Sequence, residues 1–242
     1  MILAGGLGTR MRDVSANLPK SLLPLEGKPF IHYQLSGLKR CGITDVILCV
    51  GHLGQAIRQT VGDGSAWGVK VRYVDEGAEL RGTGGALRLA GDQGVLEPVF
   101  FMMYGDSFLP IDFRAIGAYF ERRIEPALMT VMRNAGRWDS SNACFDGDRV
   151  TRYDKSTPNA PGMAYIDYGL SLFRRDALMA RLPAAKRYDI ADYFKALSHA
   201  GELAGYEIRE RFYEIGSPAG LNDLKTFVAG EWQNFLEKGP SQ

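Results

Sequence analysis

Apolar and polar positions change their spacing in a regular way over the first two-thirds of the chain. Mainly apolar runs predict strands at residues 1–4, 45–50, 99–104 and 127–132, and alternating apolar and polar residues predict a strand at 69–74. Apolar residues at three- and four-residue intervals predict helices at residues 29–42, 53–61, 84–90 and 111–120. This alternation predicts an α/β fold, with a Rossmann-like, mainly parallel sheet flanked by helices.

The pattern changes after residue 132. A hairpin turning at Asp146-Gly147-Asp148 and a long strand at 164–173 predict a smaller, β-rich lobe. The sequence has no Pro-, Gly- or Ser-rich linker, so we expect a single domain over residues 1–242. Its predicted parts are a core (1–133), a second part (134–216) and a C-terminal helix (217–242).

Charge and cysteine content narrow the function classes. The chain has 29 Lys and Arg against 28 Asp and Glu, which disfavours a nucleic-acid binder that relies on bulk charge. Its 3 cysteines are scattered and predict reduced thiols. No leader pattern or membrane-length apolar run is visible, so we expect a cytoplasmic protein with no membrane partner.

A glycine-rich loop directly follows the first strand. In "LAGGLGTRMR", Gly5, Gly6 and Gly8 allow backbone N–H groups to approach an anion closely, and Arg10 adds positive charge. Lys20 can reach the same edge of the sheet through the turn at Pro19. The Walker and dinucleotide-binding spacings are absent, so the loop predicts another kind of phosphate site.

An aspartate stands just beyond the most apolar strand. Asp106 and its preceding Gly105 follow the run 99–104, which places the carboxylate at the edge of the sheet where ligands bind. Mg²⁺ takes one or two protein carboxylates, so Asp106 is a candidate ligand, and a helix-capping aspartate is the alternative. Glu214 and Lys155 carry weaker signals when taken alone. By themselves they indicate an exposed loop glutamate at 214 and a solvated surface lysine at 155.

Six segments resemble motifs of the sugar-1-phosphate nucleotidyltransferases, also called nucleotide-sugar pyrophosphorylases. They are "MILAGGLGTRMR…LPKSLLPL", "GTGGAL", "YGDSF", "YDKS", "IDYGLSLF" and "FYEIGSP". The resemblance extends along nearly the whole chain. The "GTGGA" loop and the short chain look most like heptose-1-phosphate guanylyltransferases, followed by muramate-1-phosphate uridylyltransferases.

The resemblance implies a Mg²⁺-dependent transfer from an NTP to a sugar 1-phosphate, giving an NDP-sugar and pyrophosphate. It implies catalytic roles for Arg10, Lys20, Asp106 and Lys155, and metal ligation by Asp106 and Glu214. The implied nucleotide contacts are Leu3, Ala4, Gly5, Gly6, Gly8, Thr9, Arg10, Lys20, Thr83, Gly84, Gly85 and Asp106. The implied sugar-phosphate contacts are Tyr104, Gly105, Asn142, Lys155, Asp167 and Gly169.

Three positions depart from the family pattern. Asp167 stands where Asn is common, and Glu214 stands where Asp is common. Arg81 interrupts the Pro-Leu-Gly-Thr sequence that is common before the second glycine-rich loop, "GTGGAL". We expect the Asp167 carboxylate to accept hydrogen bonds from sugar hydroxyls, and its pairing with a nearby Arg or Lys is the alternative.

The expected reaction is guanylyl or uridylyl transfer to a heptose- or hexose-type 1-phosphate for cell-surface glycans. A glycosyltransferase and a non-catalytic nucleotide-sugar sensor remain as alternatives, and the base and the sugar stay open. Aromatic residues of the last helix (Phe227, Trp232 and Phe235) predict packing, with a subunit contact in a homodimer as the alternative.

Overall fold

The computed structural model describes residues 1–6, 18–77, 81–184 and 187–237 of the chain. The strands are β1 Ile2–Leu3, β2 Pro24–Leu25, β3 Lys28–Pro29, β4 Asp45–Val50, β5 Lys70–Asp75, β6 Val99–Tyr104, β7 Ser107–Phe108, β8 Ala127–Arg133, β9 Ala143–Phe145, β10 Val150–Tyr153, β11 Tyr165–Arg174, β12 Leu203–Ile208 and β13 Tyr213–Glu214. The helices are α1 Phe30–Arg40, α2 Gly54–Val61, α3 Gly82–Asp92, α4 Phe113–Glu121, α5 Arg175–Arg181, α6 Ile190–His199 and α7 Pro218–Glu237. Short 3₁₀ helices lie at Lys20–Leu22 and Ser65–Trp67.

The predicted α/β class and the order of the longer elements are confirmed. Strands β4 and β6 have the predicted bounds, and the hairpin of β9 and β10 turns where the sequence indicated. Helix α7 begins at Pro218, within the part predicted as a C-terminal helix (217–242). Ser followed by Pro is a favourable helix start, because Ser caps the free N–H groups and Pro lacks one.

By its internal contacts, the backbone divides into two compact units. The first unit comprises Met1–Leu80, Tyr104–Arg114 and Glu210–Gln242, and the second comprises Arg81–Met103 and Ala115–Arg209. These bounds come from contacts in space, and the predicted single domain with three consecutive parts stays a prediction.

The first unit is built on the parallel strands β1, β4 and β5. An aromatic cluster packs helix α7 against the rest of this unit, with the rings of Tyr33 and Trp232 in edge-to-face contact at 4.8 Å between centroids. Phe108 is fully buried in the same cluster, and Phe227 and Phe235 pack against it. The expected packing role of the aromatic residues of the last helix is therefore confirmed.

The second unit is built around the long strand β11. It pairs antiparallel with β6, β8 and β9, and β12 lies parallel to β8. The register between β11 and β8 shifts between Asp167 and Ser171. Gly169 lies inside that irregularity with a φ of 99°, a backbone conformation that favours glycine.

Within the described part of the chain, none of the helices has both the length and the apolar composition needed to cross a membrane.

Candidate functional site

The turn that carries Asp106 is fixed by backbone contacts of the first unit. The Gly105 N–H donates to the Leu3 carbonyl oxygen (2.9 Å), and a Cβ at position 105 would lie 2.6 Å from that same oxygen. The buried Gln34 side chain donates from Nε2 to the carbonyl oxygens of Tyr104 (3.1 Å) and Ser107 (2.8 Å). Only glycine fits at position 105, and the backbone that carries the Asp106 carboxylate is therefore held in place.

Lys20 lies beside this carboxylate. Its Nζ is 3.4 Å from Asp106 Oδ2, and the side chains are 15% and 36% exposed, respectively. Lys20 begins the 3₁₀ helix that follows Pro19, and the Leu22 N–H donates to the Pro19 carbonyl oxygen (2.8 Å). The turn predicted at Pro19 thus brings Lys20 to Asp106, although the two are far apart in sequence.

Glu214 is brought to the same place by a two-residue ladder. β13 pairs with β7 so that Glu214 lies opposite Ser107, and the Ile215 N–H donates to the Asp106 carbonyl oxygen (2.9 Å). A Cβ placed on Gly216 would lie 2.6 Å from Glu214 Oε2, and 3.5 Å from both Asp106 Oδ2 and Lys20 Nζ. We call Lys20, Asp106 and Glu214 the first charge group.

The carboxylates of this group suit a small, hard cation that also binds ligands from outside the protein. Among the described residues, no cluster of three or more His, Cys, Asp or Glu is placed to hold a metal. Asp106 and Glu214 supply two carboxylates on neighbouring segments. Mg²⁺ is bound by one or two carboxylates and completes its octahedron with substrate phosphates and water, so the residues present fit it.

The first glycine loop is described up to Gly6. The Ala4 N–H donates to the Cys49 carbonyl oxygen (2.8 Å), which continues the pairing of β1 with β4 beyond Leu3. At Gly5, an added Cβ would overlap Glu76 Oε1, so a larger residue there would displace the end of the Glu76 side chain. Gly8, Thr9 and Arg10 lie outside the described residues.

The hydrogen-bond donors of residues 83–85, in the segment "GTGGAL", are already paired with other groups of the second unit. The N–H groups of Gly84 and Gly85 donate to the Tyr188 carbonyl oxygen (2.9 and 3.1 Å). The Thr83 hydroxyl donates to Asp189 Oδ1 and accepts from the Ile190 N–H, both at 2.9 Å. Residues 83–85, expected as a loop, form the first turn of α3 and are anchored to the start of α6, and their contact with a nucleotide stays a prediction.

Asp167 and Lys155 form a second charge group, in the second unit. Lys155 Nζ is 3.9 Å from Asp167 Oδ2, and the side chains are 46% and 5% exposed, respectively. Asp167 Oδ2 also accepts from the Tyr153 hydroxyl (3.4 Å), and Oδ1 accepts from the Gly169 N–H (2.9 Å). The alternative considered for Asp167, pairing with a nearby lysine, is the arrangement in the structure. Its contact with a sugar stays a prediction.

The turn before Lys155 is held by Asp154. One oxygen of this buried carboxylate accepts from the N–H and the hydroxyl of Ser156 (2.8 and 2.6 Å), and the other accepts from Lys195 Nζ (2.8 Å). The Lys195 hydrogen bond is the main cause that holds the pKa of Asp154 well below its ordinary value. Asp154 therefore remains ionised and keeps the turn closed.

Asn142 has a fixed orientation beside β11. Its Oδ1 accepts from the Asp167 N–H (3.0 Å), and its backbone N–H donates to the Tyr165 carbonyl oxygen (2.9 Å). Because the amide oxygen accepts this hydrogen bond, the Nδ2 donor is not used by it. An amide donor of this kind suits the predicted sugar contact.

Several supporting residues were missed in the sequence. Gln34 supports the Asp106 turn, Lys195 holds Asp154, and Ser217 holds Glu214. Only Ser217 carried a local signal, because Ser-Pro marks a helix start. Gln34 lies on the helix predicted at 29–42 and Lys195 lies on α6, and a polar residue on a helix gives no sign of its distant partner.

Comparison with known proteins decides the family. A family model described as nucleotidyl transferase matches residues 1–231. The chain belongs to the nucleotidyl transferase family. The resemblance to sugar-1-phosphate nucleotidyltransferases inferred from the sequence is thereby confirmed, and so is the fold class.

Two curated relatives and one solved structure illustrate the similarity. The chain is 42% identical over 119 residues to the N-acetylmuramate alpha-1-phosphate uridylyltransferase of Neisseria meningitidis serogroup B, covering 48% of this chain and 49% of that protein. It is 35% identical over 176 residues to the D-glycero-alpha-D-manno-heptose 1-phosphate guanylyltransferase of Campylobacter jejuni, covering 73% and 76%. The inositol-1-phosphate CTP transferase of T. maritima shares the fold, with a TM-score of 0.76, 18% identity and coverage of 100% and 96%. The match to the Neisseria protein thus spans about half of its length.

Proposed function

We propose that the protein joins an NTP to a sugar 1-phosphate, forming an NDP-sugar and releasing pyrophosphate. The substrate class that we propose is guanylyl or uridylyl transfer to a heptose- or hexose-type 1-phosphate, for cell-surface glycan synthesis. The convergence of Lys20, Asp106 and Glu214 in the first unit is the observation that carries the proposal. One cation and two anions close together supply the charges that a metal–phosphate complex would need.

The reaction is an in-line displacement at the α-phosphorus. An oxygen of the sugar phosphate forms a new bond to this phosphorus, and the bond to the oxygen that bridges to the β-phosphate breaks. Pyrophosphate leaves with that oxygen and its electron pair. No protein nucleophile is needed, since such transfers depend on positioning and on charge stabilisation.

The first charge group acts on the nucleotide. Lys20 neutralises the α-phosphate, and Arg10, which lies outside the described residues, keeps its sequence-based role at the leaving phosphates. Asp106 and Glu214 would hold Mg²⁺, which supplies charge neutralisation between the phosphates when bound. The hydrogen bonds to both Glu214 oxygens fix the direction in which this carboxylate can offer its remaining lone pairs.

The second charge group acts on the sugar phosphate. The Lys155 side chain is 46% exposed, so its ammonium can meet the phosphate of the incoming sugar. Asn142 offers an amide donor to the sugar. Asp167, with its carboxylate almost fully covered, acts on Lys155 and on the bulge at Gly169.

A substrate matrix tests the proposal. Purified protein with Mg²⁺ is incubated with each of several NTPs and a panel of sugar 1-phosphates, and pyrophosphate is measured. We expect pyrophosphate in at least one combination and none when either substrate is omitted. Sugar transfer from an NDP-sugar without pyrophosphate would instead support a glycosyltransferase, and nucleotide binding without any turnover would support a sensor.

Isotope exchange tests the displacement itself. Exchange of label between pyrophosphate and the NTP should require the sugar 1-phosphate, because no enzyme-bound nucleotide forms in a direct displacement. Exchange in the absence of any sugar phosphate would reveal a covalent nucleotidyl-enzyme and overturn this mechanism.

A further inference from the structure

Glu214 folds back onto the start of helix α7. Its Oε1 accepts a hydrogen bond from the Ser217 hydroxyl (2.6 Å), and its Oε2 accepts from the Gly216 N–H. Both donors belong to the short segment that connects β13 to α7. The carboxylate is thus tied to the helix by both of its oxygens.

Ser217 is itself fixed by the helix. Its Oγ accepts from the Gly220 N–H (3.0 Å), and its carbonyl oxygen accepts from the Leu221 N–H (3.0 Å). This is the geometry of an N-cap serine, with Pro218 in the first helical position. Because the helix occupies the acceptor side of the hydroxyl, the hydroxyl proton is directed to Glu214.

Two glycines leave room for this carboxylate. A Cβ on Gly216 would lie 2.6 Å from Glu214 Oε2, and a Cβ on Gly220 would overlap Glu214 Oε1 and the Glu214 carbonyl oxygen. Glutamate is one methylene longer than aspartate, and the missing side chains at 216 and 220 accommodate that extra length.

We propose that Ser217 is a positioning residue for Glu214, and that Gly216 and Gly220 form the space in which it holds this carboxylate. This inference rests on the proposed function, because it takes Glu214 as the second metal carboxylate. The serine hydroxyl holds Glu214 Oε1, and Glu214 Oε2 borders the same space beside Gly216 as Asp106 Oδ2. A ligand fixed in advance loses less conformational freedom when the cation binds.

Binding of Mn²⁺ to the protein without nucleotide tests the inference by electron paramagnetic resonance, a measurement that needs no turnover. Ser217→Ala removes the hydroxyl, and Ser217→Thr keeps it. Gly216→Ala places a methyl group against side-chain ends only, so the fold has room to adjust. Thr226→Ala is the matched control, because it removes an exposed hydroxyl from the same helix. Thermal unfolding is recorded for every variant.

We expect Ser217→Ala and Gly216→Ala to weaken Mn²⁺ binding about tenfold or more, the usual effect of losing a partner of a metal ligand. Ser217→Thr and Thr226→Ala should bind Mn²⁺ as the wild type does. Equal Mn²⁺ affinity in folded Ser217→Ala, with only a lower unfolding temperature, would overturn the inference and leave the proposed function intact. A wild-type protein that binds no Mn²⁺ would overturn the inference as well, and the substrate matrix would still decide the function.

Discussion

The two charge groups contain the same kind of ion pair with the exposure of its partners reversed. In the first group, Lys20 is the covered partner and Asp106 the more open one, with side chains 15% and 36% exposed. In the second group, Asp167 is covered and Lys155 is open, with side chains 5% and 46% exposed. The partner that faces solvent is the one that can gain a ligand. Asp106 is therefore suited to a cation, and Lys155 to an anion.

The supporting contacts follow the same division. Lys20 stays beside Asp106 as its covered neighbour, whereas both oxygens of Asp167 already accept hydrogen bonds from the protein. We expect the open member of each pair to gain the new ligand, while Lys20, although covered, keeps its proposed contact with the α-phosphate. If both pairs were treated only as salt bridges, this difference in exposure would be missed. An ion pair in solvent contributes little to stability, so its effect on stability does not reveal which partner binds a ligand.

The largest expected effect is that of Asp106→Asn. The substitution keeps the size of the side chain and removes an anionic ligand where charge develops, so turnover should fall by about 10²–10³-fold or more. The protein should remain folded, since this side chain is partly open. Mg²⁺-dependent pyrophosphate release is the measurement. Asp45→Asn is the control, because Asp45 lies at the start of β4 in an ion pair with Arg72 (3.9 Å) and should tolerate the change.

Near wild-type turnover by a folded Asp106→Asn protein would contradict the comparison. The more open carboxylate of the first group would then bind no cation that matters for the reaction.

The second largest effect is expected for Lys155→Ala. Removing the ammonium takes away a charge-assisted contact to the incoming phosphate, worth about 2–4 kcal/mol in the transition state. We expect kcat/KM for the sugar 1-phosphate to fall by tens- to several-hundred-fold, with the KM for the NTP little changed. Lys225→Ala removes an exposed lysine of α7 and should leave both constants as they are. A loss confined to the NTP side would assign Lys155 to the wrong substrate.

Much of the first charge group was predictable from the sequence. Apolar runs fixed β4 and β6, and the rule that ligands lie at the carboxyl edge of such a sheet placed Asp106 there. The turn at Pro19 indicated the return of Lys20. Glu214 was placed only by family resemblance, because a two-residue strand such as β13 has no periodicity to recognise.

The second group was less predictable, for a physical reason. The alternation of β11 indicates which face Asp167 occupies, but not which of its oxygens meets a donor. Its partners Tyr153 and Lys155 come from β10 and the turn after it, and the bulge at Gly169 turns the carboxylate toward its own backbone. Such contacts depend on the register between strands, which the sequence does not specify residue by residue.

The smallest expected effect, Asp167→Asn, separates the charge of the second group from its geometry. The amide oxygen can still accept from the Gly169 N–H, so the bulge in β11 should persist and only the negative charge is lost.

The negative charge of Asp167 has two opposing effects on a bound phosphate. It holds the ammonium of Lys155, which is worth about 0–1 kcal/mol for a half-exposed pair as long as 3.9 Å. It also repels the phosphate, by about 0.7 kcal/mol at a separation of about 6 Å even with the dielectric constant of water, and by more near a protein surface. Because the pair is long and its lysine is about half-exposed, repulsion should dominate. We therefore expect the KM for the sugar 1-phosphate to fall about two- to fivefold, with the KM for the NTP unchanged and the effect reduced at high salt.

Since every sugar substrate carries the phosphate, relative rates across a sugar panel should stay constant. A reordering of that panel would show instead that Asp167 contacts sugar hydroxyls, as the sequence first suggested, and a rise in KM would show that holding the lysine matters more than the repulsion.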